Sequence, residues 1–373
     1  MHLYIHIPFC KQKCSYCNFH FSTSFGQKKE MVHAICRELE LRKNEISQPL
    51  ETIYLGGGTP SVLDSHEFYQ IFSQIQKLFD VHPNAEITLE ANPDDLNENK
   101  LNEVRQSPIN RLSIGVQSFF DEDLQLMNRV HNAKEAEYAI KRSQDKGLEN
   151  ISIDLIYGGQ TTSDLMWREN LDKAMELQVP HVSSYALTIE PKTILQHQIQ
   201  KGILKDVDDF KQQKQFEILV EILTQKGFDH YEISNFGKPG FHSMHNTSYW
   251  LGKNYTGIGP SAHGYKGKER YWNVANNTLY IQAIHNNEIP QEIEVLKPED
   301  IVNELTMIGL RTVYGIDIVN LQQKIPEDIY LKWRKNVDQY IAEDKLIFKD
   351  QKIFLNRDFM FFADGIASDL FIV

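Results

Sequence analysis

Short runs of apolar and β-branched residues alternate along this chain with longer segments in which apolar residues recur every three or four positions. The short runs predict strands at residues 3–7, 52–55, 86–90, 111–116, 151–156 and 181–187. The longer segments, at residues 28–43, 65–79, 133–146 and 163–177, have the period of amphipathic helices. This alternation is typical of parallel strands joined by crossover helices. We therefore expect an α/β fold, an open, partial (β/α)6 barrel of about six units.

Four motifs follow predicted strands directly. They are Gly56-Gly57-Gly58-Thr59-Pro60, Glu90-Ala91-Asn92-Pro93, Gln117-Ser118 and Tyr157-Gly158-Gly159. In β/α barrels the active site lies at the carboxyl ends of the strands. We therefore expect these motifs to surround one binding site.

The pattern changes near Lys297-Pro298. Residues 299–312, 318–324 and 327–343 predict three helices, and residues 346–348 and 353–355 predict a hairpin that turns at 349–352, before a last helix. We expect a barrel at 1–235, a connecting region at 236–297 and a winged-helix-like module at 298–373. Residues 299–373 carry 13 acidic and 9 basic side chains. This balance favours a protein contact or a lid over the barrel rather than DNA binding.

Composition excludes several classes of function. A net charge of −12 disfavours a nucleic-acid partner, because phosphate contacts need a basic surface. No apolar run approaches the roughly 18 residues of a membrane-spanning helix, and no secretory signal peptide is evident. Four cysteines in 373 residues do not make a disulfide framework, and Cys36 has the position of a helix core residue. We expect a cytoplasmic protein.

Three of the cysteines, Cys10, Cys14 and Cys17, lie in one short segment after the first predicted strand. Buried apolar cysteines have no reason to cluster so tightly, and a structural zinc site takes four ligands. A cubic four-iron cluster also takes four thiolates, so three leave one iron with an open position. The triplet therefore predicts a [4Fe–4S] cluster whose open iron can bind a ligand.

This spacing, with Tyr16 before the last cysteine, resembles the signature of the radical S-adenosylmethionine (SAM) superfamily. The resemblance implies that the open iron binds the amino and carboxylate groups of SAM. It also implies that an electron from the cluster can break a C–S bond of SAM and give a 5′-deoxyadenosyl radical. The protein's part is to bind, orient and shield these cofactors.

Residues at the strand ends are candidates for ligand contacts. Glycines let a backbone approach a ligand closely, and Gly58 and Thr59, with Pro60 beside them, resemble the superfamily segment whose backbone binds the amino group of SAM. Glu90 is an acceptor suited to ribose hydroxyls or an ammonium group. The amide of Gln117, which ends a buried strand, must find hydrogen-bond partners.

Two charged residues complete this set. Arg129 has the guanidinium fork that matches a carboxylate, although an arginine on a helix is usually solvated. Asp154 lies inside an apolar strand, where a carboxylate is costly unless it has a partner. We expect a ligand or an arginine beside it.

Together these segments resemble the oxygen-independent coproporphyrinogen oxidase family and its heme-chaperone relatives, over nearly the whole chain. The resemblance implies SAM contacts at Tyr4, Tyr16, Gly58, Thr59, Pro60, Glu90, Gln117, Arg129, Asp154 and Ala186.

Two features separate the branches of this family. The family's oxidases have a further cysteine two residues after the last cluster ligand, where this chain has Phe19. They also have an extension before the cluster loop, where this chain has only nine residues before Cys10. Both features favour the heme chaperones, which deliver heme to respiratory apoproteins. Decarboxylation of coproporphyrinogen III stays the alternative. Methyl transfer is a further one, but Cys36, expected in the core, is a poor methyl acceptor.

The segment His245-Asn246-Thr247-Ser248-Tyr249-Trp250 resembles the second hallmark of the heme-chaperone branch. Imidazole is a strong axial ligand of heme iron, and Tyr249 and Trp250 supply flat surfaces for a porphyrin. A single loop histidine is more often only hydrogen-bonded, and His242 and His263 are rival ligands. The segment predicts a heme cofactor, with His245 as its candidate axial ligand.

Overall fold

A mixed sheet of twelve strands runs through the computed structural model, which describes residues 1–373. Its first six strands pair side by side in parallel, in the order of the sequence. The predicted α/β fold with a partial (β/α)6 barrel is confirmed. These strands are β1 (His2–Ile7), β2 (Leu50–Gly57), β3 (Val81–Ala91), β4 (Arg111–Gln117), β5 (Ile151–Tyr157) and β6 (His181–Ala186).

Helices occupy the connections between these strands and the segment after β6, and their ends follow local capping chemistry. Asp64 and Asn132 each form a capping box with the glutamate three residues later, which satisfies backbone N–H groups at the start of a helix. None of the helices is both long enough and apolar enough to cross a bilayer. They are α1 (Lys28–Leu41), α2 (Ser65–Leu78), α3 (Glu98–Gln106), α4 (Asp121–Leu126), α5 (Ala133–Asp145), α6 (Asp164–Glu176), α7 (Ile194–Gln200) and α8 (Asp209–Gln225).

The two faces of the parallel strands differ in polarity because side chains alternate along a strand. One face packs against the helices in a core of 55 buried residues, to which β1 contributes Leu3, Ile5 and Ile7. The opposite face, here called the lumen face, is largely polar. Its residues include Tyr4, Tyr54, Glu86, Glu90, Arg111, Ser113, Ser152, Asp154 and Ser183.

Residues 229–295 extend the sheet at both of its edges. At one edge, β7 (Asp229–Glu232) and β8 (Asn235–Gly237) follow β6. At the other edge, β9 (Tyr255–Ile258) pairs in parallel with β1 and continues into an antiparallel set. The sequence analysis did not predict these strands, and the proposed boundaries at 235 and 297 stay a prediction. The remaining elements here are α9 (Met244–Trp250), β10 (His263–Lys266), β11 (Glu269–Asn273), α10 (Asn277–His285) and β12 (Gln291–Val295).

The C-terminal segment, here called the C-terminal module, has its own core of 16 buried residues between Leu296 and Ile372. The predicted helices and hairpin are confirmed, and a short third strand joins the hairpin in the order β13-β15-β14. The elements are α11 (Pro298–Leu310), β13 (Ile316–Asp317), α12 (Ile318–Lys324), α13 (Glu327–Ala342), β14 (Leu346–Lys349), β15 (Lys352–Leu355) and α14 (Ala363–Asp369).

The C-terminal module contacts both edges of the open sheet. Near β7, the Arg311 guanidinium lies 3.1 Å from the Glu232 carboxylate, and the Ile233 amide donates to the Arg311 carbonyl at 2.9 Å. Near β11, Arg270 pairs with Glu304 of α11. The module therefore links the two edges that the partial barrel leaves apart.

Candidate functional site

A cavity of about 460 Å³ lies at the carboxyl ends of the parallel strands. Its walls come from the loop after β1, the turn after β2 and the ends of β3 to β6. It brings together the three clustered cysteines and eight other predicted contact residues. These residues are Cys10, Cys14, Cys17, Tyr16, Gly58, Thr59, Glu90, Gln117, Arg129, Asp154 and Ala186.

The cysteine loop is fixed by hydrogen bonds to neighbouring backbone. The Cys10 amide donates to the Ser22 carbonyl at 3.0 Å. Ser15 donates through its amide to the Met127 carbonyl at 3.0 Å and through its hydroxyl to the Leu126 carbonyl at 2.9 Å. The thiols thus stand on a loop whose backbone is held at both ends.

Gly58 packs directly against this loop. A Cβ atom at this position would lie 2.7 Å from the Phe9 carbonyl oxygen, closer than real Cβ contacts come, so only glycine fits. The Gly58 amide donates to Ile7 O at 2.9 Å and the Thr59 amide to Phe9 O at 2.7 Å. Both amides donate within the protein, and the carbonyl oxygens of this segment are the backbone groups that can accept from an ammonium group.

Two side chains donate hydrogen bonds to cysteine sulfurs. The Thr59 hydroxyl lies 3.3 Å from Cys10 Sγ, and Arg129 Nη1 lies 3.3 Å from Cys14 Sγ. Burial raises the pKa of Cys10 to about 12 and also raises the pKa of Cys17. A bound metal deprotonates a coordinating thiol, so these donors would face thiolates once a cluster is in place.

The number of thiols favours a cluster over a single zinc ion. Three cysteines, Cys10, Cys14 and Cys17, line the cavity together. A single zinc ion would need its ligands to converge on one point. A four-iron cluster makes no such demand, because each thiolate binds a different iron. The donor set and its hydrogen bonds fit a [4Fe–4S] cluster.

Arg129 connects the cysteine loop with the strand ends. Its Nη2 donates to Asn92 Oδ1 and to the Gly115 carbonyl, both at 2.7 Å, while its buried Nε has no partner. Asn92 in turn donates to the Thr59 hydroxyl at 3.3 Å. The sequence analysis quoted Asn92 only as part of a turn and missed this role. The unpartnered Nε is the donor that a bound carboxylate would satisfy.

Two carboxyl groups of the lumen face lie at the floor of the cavity. Glu90 accepts from the Tyr54 hydroxyl at 2.8 Å and from the Gly57 amide at 3.1 Å, and burial raises its pKa. Burial, together with the charge of Glu90, raises the pKa of Asp154 to about 7. Asp154 is therefore only partly ionised at neutral pH, and a cationic ligand would favour its ionised form.

Gln117 ends β4 in an unusual backbone conformation. Its φ of 67° lies in the left-handed region, which is costly for a residue with a side chain and is found mostly where the surroundings demand it. Gly115 gives the Gln117 amide its space, since a Cβ there would lie 2.9 Å from Gln117 Nε2. In this strained conformation the Gln117 side chain lines the cavity.

Two predicted contact residues do not line this cavity. Tyr4 lies below it on the lumen face, where its ring stacks on Tyr54 and its hydroxyl is 3.2 Å from His6 Nδ1. Pro60 is buried at the start of a 3₁₀ turn behind Thr59. The structure therefore gives both residues a supporting position rather than a place in the wall.

His245 lies at the opposite end of the lumen. It is buried beside Thr52, near the amino end of β2. Thr52 pairs with His2 at the amino end of β1. Its Nδ1 is 2.6 Å from the Thr52 hydroxyl, its Nε2 is 2.7 Å from the Tyr249 hydroxyl, and its ring stacks on Tyr54 at 4.8 Å. Neither ring nitrogen is free for iron in this arrangement, so heme ligation by His245 stays a prediction.

The two rival histidines also lie away from the cysteine loop. His242 pairs with Asp229 at 3.0 Å and stacks on Tyr231. His263 is exposed on β10, next to Trp272. The three histidines do not meet at a common point.

Comparison with known proteins places this geometry in a family. Residues 4–174, which contain most of β1, the cysteine loop and the strands β2 to β5, match the Radical SAM superfamily. The chain is 35% identical over 353 residues to the heme chaperone HemW of Lactococcus lactis subsp. lactis (strain IL1403), covering 94% of this chain and 91% of that protein. It is also 35% identical over 327 residues to the heme chaperone HemW of Bacillus subtilis (strain 168), covering 86% of each. The chain belongs to the HemW family.

A solved structure supports the fold of this HemW-family chain. Coproporphyrinogen III oxidase (HemN) from Escherichia coli, a radical SAM enzyme, superposes with a TM-score of 0.83 over 99% of this chain and 89% of that one. The sequence identity is 21%, so the likeness concerns the fold alone. The match extends over the C-terminal module as well as the barrel. The resemblance to the superfamily and to its heme-chaperone branch is thus confirmed.

Proposed function

We propose that this protein is a cytoplasmic heme chaperone that carries a [4Fe–4S] cluster and SAM and delivers heme to respiratory apoproteins. The observation that carries the proposal is the 35% identity to a HemW heme chaperone over 94% of this chain and 91% of that protein. A match over nearly the full length of both chains includes the α9 segment and the C-terminal module as well as the cysteine loop.

The cavity at the strand ends supports the cluster and SAM. Cys10, Cys14 and Cys17 would hold the cluster, and Thr59 and Arg129 would donate to its thiolates. When bound, such a cluster supplies an electron and an open iron site.

The remaining wall residues fit the parts of SAM. The unpartnered Nε of Arg129 suits its carboxylate, and the carbonyls of Gly58 and Thr59 suit its ammonium group. Glu90 and Asp154 suit its ribose or its positive charge, since both are acceptors at the cavity floor. Tyr16, Gln117 and Ala186 complete the wall.

The position of the α9 segment favours a carrier over an enzyme acting on a porphyrin. β1 runs from His2, beside His245, to Ile7, next to the cysteine loop, and six residues of strand span roughly 16 Å. A heme held near α9 would therefore lie at the other end of the lumen from the radical chemistry. In the oxidase alternative the porphyrinogen must instead reach the cavity itself, whose mouth carries Phe19 in place of the further cysteine.

Methyl transfer has less support from the structure. Cys36, the cysteine outside the cluster loop, packs against the hydrophobic core, and burial raises its pKa to about 11. A thiol with this pKa is a poor nucleophile at neutral pH.

The decisive experiment is a heme titration of the anaerobically reconstituted protein, with iron and sulfide content measured in the same sample. We expect stoichiometric heme binding with the cluster intact, transfer of the heme to a heme-free cytochrome b apoprotein, and no turnover of coproporphyrinogen III. His245→Ala should weaken heme binding, whereas the exposed control His285→Ala should not. Turnover of coproporphyrinogen III would establish the oxidase alternative, and failure to bind heme would refute the chaperone.

A further inference from the structure

A second cavity, of about 620 Å³, lies between the barrel and the C-terminal module. Its walls come from α9 and the following loop, from β9 to β11, and from α11. We name it the module cavity. It does not include any residue of the cysteine-lined cavity.

Aromatic rings form one side of the module cavity. Tyr249 packs edge-on against Tyr255 at 4.5 Å between ring centres, and Tyr255 stacks with Tyr265 at 6.3 Å. Leu305 and Ile308 of α11 face them from the C-terminal module. Two apolar walls with large flat rings on one side suit a flat, mainly apolar ligand.

The charges around the module cavity differ from those of the protein as a whole. Four basic side chains line it, against the single acid Glu304, in a chain with a net charge of −12. Four other cavities of the protein each have at least as many acidic as basic residues in their walls. The basic residues are Lys253, Lys268, Arg270 and Lys324. The module cavity thus favours an anionic ligand.

Two of these cations have no partner within the protein. Lys253 pairs with Glu51 at 3.4 Å and Arg270 pairs with Glu304. Lys268, in the β10–β11 turn, and Lys324, at the end of α12, are exposed at the cavity and form no ion pair. Two free cations fit a ligand that carries two carboxylates.

A buried donor at the cavity wall also lacks a partner. Trp250 lines the module cavity and a smaller neighbouring one of about 200 Å³, and its buried Nε1 makes no hydrogen bond. Buried donors are normally satisfied, so an acceptor from outside the chain is expected here. Met307, on the α11 wall, adds a thioether, a known ligand of heme iron.

We propose that heme binds in the module cavity, with its ring between the tyrosines and α11, its two propionates on Lys268 and Lys324, and its iron facing Met307. His245 does not line this cavity but bonds to the Tyr249 hydroxyl of its wall, so it acts here as a positioning residue. The inference rests on the proposed heme-chaperone function and assigns its heme to a site formed jointly by the barrel and the C-terminal module.

The test compares heme affinity, measured by absorbance titration, in charge-reversed and cavity-filled variants. Lys268→Glu combined with Lys324→Glu should weaken heme binding about tenfold or more, because two attractive pairs become repulsive. Ile308→Trp should weaken it by filling the space. The control pair Lys226→Glu and Lys349→Glu reverses two exposed charges elsewhere and should leave the affinity unchanged.

A second probe separates charge effects from misfolding. Heme dimethyl ester lacks both propionate charges, so the reversed pair should bind it as well as the wild type does. Met307→Leu should change the absorption and the electron paramagnetic resonance spectrum of bound ferric heme, because a sulfur ligand is lost.

The outcomes separate the two levels of the proposal. If wild-type protein does not bind heme, the chaperone function itself fails. If it binds heme while Lys268→Glu/Lys324→Glu and Ile308→Trp bind as well as the wild type, the function stands and the module cavity is refuted. An unchanged heme spectrum in Met307→Leu would refute Met307 as the ligand.

Discussion

At the scale of single residues, the acids at the cavity floor couple ligand binding to pH. Asp154 has a raised pKa of about 7 because it is buried and lies near Glu90, while Arg111 and Arg129 partly oppose this effect. A cationic ligand binds the ionised form, so SAM affinity should rise about tenfold between pH 6 and pH 8. Asp154→Asn should bind SAM weakly and with little pH dependence. Calorimetric titration of the cluster-loaded protein at both values measures this.

The raised pKa of Asp154 has the opposite effect on the folding stability of the ligand-free protein: stability falls as the pH rises. A free aspartate ionises near 3.8, whereas folded Asp154 ionises near 7, so folding loses stability as the pH rises from 4 through 7. Asp154→Asn should therefore raise the melting temperature at pH 8 while it weakens SAM binding. Asp338→Asn, which breaks only an exposed pair with Arg334, is the control. A lower melting temperature for Asp154→Asn at pH 8 would contradict the assignment.

Gly58 is required by the packing of the cysteine loop. The Cβ of an alanine would lie 2.7 Å from the carbonyl oxygen and 2.8 Å from the amide nitrogen of Phe9, and backbone atoms cannot move aside cheaply. We expect Gly58→Ala to lower the free energy of unfolding by about 1–3 kcal/mol and to reduce the iron bound after reconstitution. Urea denaturation and iron content measure both effects.

Gly365 offers a matched control for this substitution. It lies in α14, and an added Cβ would meet no atom within 4 Å. Alanine is favoured over glycine in a helix by about 0.5–1 kcal/mol, so Gly365→Ala should be neutral or stabilising, with normal iron content. Equal iron loss in both variants would mean that Gly58 has no special role.

Sequence reasoning about single residues brought together positions that line one cavity, but it could not place residues along the lumen. Glu90 and Gln117 were predicted because they end strands, and Asp154 because a carboxylate inside an apolar strand needs a partner; all three line the cavity, and their contacts with SAM stay a prediction. Tyr4 shares the lumen face with the site but lies one layer below it, and periodicity does not distinguish layers. The two bonds of His245 depend on residues almost two hundred positions away and on its own helix, which a motif does not reveal.

At the scale of elements, the short helix α9 depends on one acid from the sheet. The Glu86 carboxylate of β3 accepts from the Met244 amide at 3.0 Å and from the His245 amide at 2.9 Å. These amides begin the helix and have no intrahelical partner. Glu86 therefore fixes the position of the helix that carries Tyr249 and Trp250.

Removing this acceptor should loosen α9 selectively. We expect Glu86→Ala to lower the free energy of unfolding by about 2–3 kcal/mol, because two buried donors lose a charged acceptor. Hydrogen exchange of residues 244–250 should accelerate more than that of β1. Glu86→Gln, which keeps an acceptor, should recover part of the loss, and the exposed Glu288→Ala should have no effect. Unchanged exchange in Glu86→Ala would refute this role.

The elements of the chain differed in how well their pattern predicted them. The strands β1 to β6 are buried or end in glycine- and proline-containing turns, so their apolar runs are easy to recognise in the sequence. The predicted helices end within two residues of the observed ones. The strands β7 to β12 are three to five residues long, and β12 is almost wholly exposed. Such strands are stabilised by pairing with an existing edge, and a short mixed sequence carries no signal of that.

At the scale of the whole molecule, the C-terminal module of about 75 residues joins the two edges of the open sheet. The C-terminal module contacts β7 at one edge and β10 and β11 at the other, and the module cavity lies along the second contact. Any change in the first contact should therefore alter how firmly the module is held across the cavity. The pair formed by Glu232 and Arg311 is the buried charge pair of that first contact.

Arg311→Met should be strongly destabilising because it leaves a charge buried alone. The Glu232 side chain is fully buried, and burial already raises its pKa even with Arg311 beside it. Losing one partner of such a pair costs about 3–5 kcal/mol, much more than losing an exposed pair such as Arg334 with Asp338. The double variant Glu232→Gln/Arg311→Met should recover most of this loss, since the amide can still accept from Ser234 and Asn235.

The stability loss caused by Arg311→Met should depend on pH in a definite direction. Without Arg311, the pKa of Glu232 should rise further, so protonation removes the isolated charge as the pH falls. The stability deficit of Arg311→Met against wild type should therefore be larger at pH 8 than at pH 5.5, and it should be nearly independent of pH in the double variant. Thermal unfolding at both values, with Arg334→Met as the control, measures this. A deficit that does not change with pH would mean that Arg311 stabilises the contact through its exposed pair with Asp364 or by packing over the Trp250 ring at 5.4 Å, rather than through the buried charge of Glu232.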